Sequence, residues 1–150
     1  ILKVSGLLDK RMFGAGTLDE RMKRRSIYFM IKRSKLIPSM QLFDSPEPLV
    51  SQGSRPVTII APQALHFMNN GQVRASAMEL ARQLKAQPDT AAAVTLGYQT
   101  VLGRAPTPKE QKSIASFIDV QEKSYTNNGR ELALADFVQV LFGLNEFIVQ

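Results

Sequence analysis

A mainly α fold is what this sequence predicts: an irregular bundle of about four to six helices with a long ordered loop at about 34–56. Three observations carry it. Apolar residues recur at helical spacing through most of 62–142, helix start and stop residues stand at the ends of those stretches, and Pro38, Pro46, Pro48, Gly53 and Pro56 punctuate the segment between. Two apolar runs, 26–31 and 57–60, leave room for a short two-stranded β ribbon.

Residues 1–8 read as the last turns of a helix, and the start at Ile1 reads as a cut within a larger chain. Residues 13–16 are a Gly-rich connector. Thr17-Leu18-Asp19-Glu20 has the form of a capping box and predicts a helix through Arg25. The run 26–31 is apolar or aromatic after Ser26, so its periodicity leaves helix and strand open. Pro62 suits a helical first turn, and the helix continues to Met68. Asn69-Asn70-Gly71 marks a turn or kink, and 73–85 resumes with Val73, Ala77, Leu80, Ala81 and Leu84 on one face.

The next signals are the sharpest. Asp89 is placed as an N-cap for a helix over 91–102, with Gly103 at the C-cap. Thr107-Pro108-Lys109-Glu110 joins a capping box to a proline at N1 and starts a helix to about Ser124. Asn127-Asn128-Gly129 breaks it, and Asn128 with Glu131 resembles a second box. A broad apolar stripe, from Leu132 to Phe142, follows and ends near Gly143.

The 150 residues suit a single helical domain, 1–150. The chain has no Cys, which excludes disulfides, thiolate nucleophiles and attached c-type haem within it. One histidine, His66, excludes a multi-His metal site, and its helical neighbours offer no carboxylate to orient it as a base. Met12, Met22, Met30 and Met40 are dispersed and predict core filling. No P-loop or nucleophile elbow is present, and no apolar run is long enough to span a bilayer. Charge is uneven: residues 1–35 hold ten Lys/Arg against three Asp/Glu, and the remainder is nearly balanced. Such a segment reads as a solvated face, as arginines that pair with carboxylates elsewhere in the parent, or as a surface that attracts an acidic partner domain, an anionic surface or nucleic acid. Nucleic acid is the weakest of these readings, because only Tyr28 and Phe29 offer stacking faces there.

Several strings carry a resemblance: Arg24-Arg25-Ser26-Ile27-Tyr28-Phe29, Phe43-Asp44-Ser45-Pro46, Arg55-Pro56-Val57-Thr58, Pro62-Gln63-Ala64-Leu65, the 102–110 segment and Leu144-Asn145-Glu146-Phe147. In this order they resemble the C-terminal domain of unknown function that ends large exported planctomycete proteins, a PSD-type family often carrying cytochrome-c-like modules upstream. One departure is local. Where the family reads Leu-Asn-x-Pro-Phe-Val, this chain has Met68-Asn69-Asn70-Gly71-Gln72-Val73. The resemblance implies a periplasmic or cell-surface parent and a position at its C-terminus. Any haem would sit on upstream domains, and no cofactor or metal is expected in this stretch.

Among the shared residues, Phe43 reads as an aromatic anchor before an Asx-type turn at Asp44, and Thr58 as bonding nearby backbone. Arg25, Arg33 and Arg55 are expected either to donate to the long loop or to Asp44 as internal clamps, or to line a pocket for an anionic sugar or a carboxylate ligand. The candidate binding residues are therefore Arg25, Arg33, Asp44, Arg55, Gln63 and Asn69, with no catalytic residue assigned. Two functions follow as expectations. One is a non-catalytic structural or interaction module whose partners are other domains of the same parent chain. The other is part of a carbohydrate-binding or carbohydrate-processing site containing Asp44, Arg55 and Gln63.

Overall fold

In the computed structural model the described residues are 1–46, 51, 53–54, 58 and 60–148. Among them the fold is mainly α, with seven α-helices, one 3-10 turn and two isolated β-bridges. The helices are α1 (Pro38–Leu42), α2 (Ala61–Asn69), α3 (Gly71–Lys85), α4 (Thr90–Leu102), α5 (Pro108–Ser124), α6 (Gly129–Phe142) and α7 (Asn145–Ile148). None among the described residues is long and apolar enough to cross a membrane. The chain divides into two compact units, one of Leu8–His66 and one of Ile1–Leu7 with Phe67–Gln150.

The second unit is the helical bundle. Helix α6 is its centre, packed most extensively on α3 and then on α5, with α4 against both α3 and α5. Its predicted stripe is nearly all buried, Leu134, Phe137, Val138, Leu141 and Phe142 being fully so. Leu80 and Leu84 of α3, Val94 of α4 and Ile118 of α5 complete the core. Gly97 is what brings α4 close, since a Cβ there would lie 2.7 Å from Cε1 of Phe137.

Local chemistry sets the helix ends. Asp89 accepts the amide of Ala92 at 2.7 Å, and Gly103 closes α4 in the left-handed region at φ 72°. Thr107 and Glu110 form both halves of the capping box. The 69–71 break divides two helices. Asn70 caps α3 by accepting the amides of Gln72 and Val73, so the cap falls on Asn70 and not on Asn69. Gln139 of α6 donates to the carbonyls of Phe67 and Met68 at 3.0 and 2.6 Å, serving the last turn of α2. The local departure from the family string thus has its own cap. Asn70→Ala and Asp89→Ala should each lower stability by about 1 kcal/mol, read by chemical denaturation.

Residues 1–6 keep a hydrogen-bonded turn, Ser5 to Ile1 at 3.0 Å, that Gly6 ends at φ 76°. Three expectations change. No helix forms over 17–25, because Thr17 pairs its backbone with Tyr28 and Met30 and Glu20 accepts from Ser39. Asn128 sits at φ 52° with no capping bond, and Glu131 pairs instead with Arg82 and Lys85 of α3. The loop at 34–56 contains α1. Its residues 47–50, 52 and 55–56 lie outside the described residues, as do Val57 and Ile59 of the proposed ribbon partner.

Charged pairs tie the bundle's helices together. Arg74 binds Asp136 at 2.7 Å, and Asp136 also accepts the Tyr125 hydroxyl at 2.7 Å. Arg104 bridges Glu110 at 2.8 Å and Glu146 at 2.6 Å, joining two of the strings that carried the resemblance. That guanidinium, with the Thr107 amide and hydroxyl, holds the Glu110 carboxyl at about 2 against an ordinary 4.5. The folded value is the lower one. The contribution is therefore complete above pH 4.5 and is lost as pH falls from there towards 2. A thermal-melting series should decline across that window, and Glu110→Gln should flatten the decline.

Candidate functional site

The Leu8–His66 unit has little regular structure, so side chains hold its shape. Thr17 donates its amide to Tyr28 at 3.0 Å and accepts the amide of Met30 at 2.8 Å. This pins the chain where the 3-10 turn Ser26–Tyr28 gives way to extended backbone at Phe29. Arg24 lies 3.5 Å over the Tyr28 ring and donates to the carbonyls of Arg11 and Phe13. The Tyr28 hydroxyl in turn accepts the Phe13 amide at 2.9 Å. Sequence reasoning passed over Arg24 for its neighbour Arg25. Its signal was the tyrosine four residues on.

Helix α1 is held from both ends. At its start, Glu20 accepts the amide and hydroxyl of Ser39 at 3.0 and 2.8 Å, satisfying a first-turn N–H. At its end, the Leu42 carbonyl accepts Nε2 of Gln63 at 2.9 Å. Gln63, only 5% exposed, also donates to the carbonyl of Thr58 and accepts the amide of Ile60. Asp44, at φ 56°, accepts both the amide and the hydroxyl of Thr58 at 2.7 and 2.8 Å. The turn at Asp44 is thus closed across fourteen residues, and the Thr58 hydroxyl bonds a carboxylate where nearby backbone was expected. Phe43 does act as an aromatic anchor, edge-on to His66 at 5.7 Å.

Between the 26–31 segment and α1 this bracing leaves an open cleft of about 670 Å3. Its lining is chiefly apolar, with Phe29, Met30, Leu36, Ile37 and Met40. Met30 and Met40 thus line the cleft instead of filling a core, and Met12 is 69% exposed. Ile27 and Ile31 stand at the cleft 77% and 81% exposed. Lys32 and Lys35 lie on the same wall, tied by a turn in which Lys35 donates to the Lys32 carbonyl.

Of the five predicted residues that are described, the cleft takes in Asp44 alone. Arg25 and Arg33 are exposed, and neither makes an ion pair or a side-chain hydrogen bond among the described residues, so neither clamps the loop. Gln63 is a buried brace. Asn69 is exposed at the end of α2, and Arg55 lies outside the described residues. Lys32 and Lys35 were visible only as part of the basic stretch, because which way a side chain points in irregular backbone has no periodicity to reveal it.

A helical bundle and a side-chain-braced unit bearing an open, cation-edged cleft define the class of molecule. The chain belongs to the PSD1 family, described as proteins of unknown function (DUF1553), whose model matches residues 1–118. That span includes all of the cleft-bearing unit and Glu110, and stops within α5. No curated protein and no solved structure matches the chain.

Proposed function

We propose that this chain is a non-catalytic interaction module of a larger exported protein, at the periplasm or cell surface, that docks on other domains of the same polypeptide. The docking surface is the Leu8–His66 unit. One observation supports this above others. Of the nine described cations in 8–66, only Arg11 and Arg21 are in ion pairs, while each of its described carboxylates is engaged within the unit. A surface that keeps its positive charge unpaired beside an apolar cleft suits a partner that supplies negative charge.

The same bonds argue against acid–base chemistry, since Asp44 and Glu20 each accept two hydrogen bonds from their own chain. They also weaken the carbohydrate reading, which needs Asp44 and Gln63 to meet sugar hydroxyls. Lysine-reactive cross-linking of the full-length polypeptide tests the proposal. Lys23, Lys32 and Lys35 should cross-link to residues outside these 150, and less so at high salt. Cross-links confined to the 150 residues would contradict it.

A further inference from the structure

Taking that docking role as given, we infer that the cleft between residues 26–31 and α1 is a groove for an acidic peptide segment bearing apolar side chains. Apolar side chains of the segment enter against Phe29, Met30 and Met40, and its carboxylates meet Lys32 and Lys35.

Three properties select this occupant. The volume of about 670 Å3 lies within the range of specific binding pockets, and the cleft is open to solvent and not an enclosed cavity. The apolar surface is there to be covered: Ile27 and Ile31 stand in water at its edge, and covering them with another apolar side chain is favourable. Met30 and Met40 are unbranched and adapt to more than one side chain. The charge is one-sided. Lys32 and Lys35 are exposed, while the carboxylate on the same lining, Asp44, is bonded to Thr58. Leu8–His66 as a whole holds ten basic against five acidic residues. A basic segment would be repelled, and a polar acidic one would leave the apolar lining wet.

The probe is a fluorescein-labelled peptide of alternating Leu and Glu, titrated into the 150-residue chain and read by anisotropy. It should bind, and more weakly as salt rises. The exposed pair Lys32→Glu with Lys35→Glu should weaken binding about tenfold or more, as should Ile31→Asp at the edge. Lys109→Glu with Lys112→Glu, equally spaced and exposed on α5, should leave it unchanged. Circular dichroism checks that each variant is folded. Equal binding by a Leu–Lys or a Ser–Glu peptide overturns the inference, as does no binding of the Leu–Glu peptide. Occupation of the groove by dodecanoate, an oligonucleotide or a second copy of the chain in place of the peptide overturns it too. Cross-links from Lys32 and Lys35 to other domains, without peptide binding, would keep the docking role and remove this partner chemistry. Peptide binding without such cross-links would do the reverse.

Discussion

Phe137→Ala should cost the bundle about 3–5 kcal/mol, the range for deleting a buried aromatic ring. The ring is fully buried in α6 and stacks on Tyr98 of α4 at 6.1 Å between centroids. Gly97 admits α4 backbone against its edge, so the hole left by Ala would be walled partly by main chain, which relaxes less readily than side chains. Against a total stability of about 5–15 kcal/mol, that loss brings the bundle near unfolding at ambient temperature. Guanidinium denaturation followed by circular dichroism measures it. Val140→Ala, on the exposed side of the same helix, is the control and should change little. A loss below about 1 kcal/mol at Phe137 would mean that α6 is not the centre of the core.

Gln63→Leu should be the most damaging single change in the Leu8–His66 unit, at about 2–3 kcal/mol. The amide serves three main-chain groups, the carbonyls of Leu42 and Thr58 and the N–H of Ile60. An isosteric apolar replacement fills the space and leaves all three without that partner. The effect should be local. Amide exchange at Ile60 should accelerate strongly while amides in α3 and α6 keep their protection. Because Gln63 also holds the end of α1, the same variant should weaken peptide binding in the groove. Gln63→Glu keeps an acceptor for Ile60 but loses both donors, so it should rescue little.

What could be read in the sequence was what neighbouring residues decide among themselves. Asp89, Gly103 and the Thr107–Glu110 box act within one turn of chain, and all three appear where their residue types place them. The stripe on α6 was legible because burial on a helix has a period. Thr17 and Glu20 have the right spacing for a box, but the Thr17 hydroxyl accepts the Asp19 amide while its backbone pairs with Tyr28 and Met30, and Glu20 accepts from Ser39. Asn128 fails for a local reason, since its φ of 52° departs from the extended geometry that an N-cap adopts. Gln63 was singled out as a binding residue, and its three bonds to main chain make it a brace instead. Residues that hold an irregular unit and residues that bind through it are of the same polar types, and only contacts separate them. The cleft itself comes from the placing of α1 against 26–31, which neither segment encodes alone.

The account rests on the cation-edged cleft being the surface that meets a partner. Methyl NMR of the chain, labelled at Ile and Met and titrated with the Leu–Glu peptide, tests this most directly. Shifts should concentrate at Ile27, Met30, Ile31 and Met40 and spare Ile114 and Ile118 of α5. Shifts centred on α5, or none at the four cleft methyl groups at saturating peptide, would contradict it.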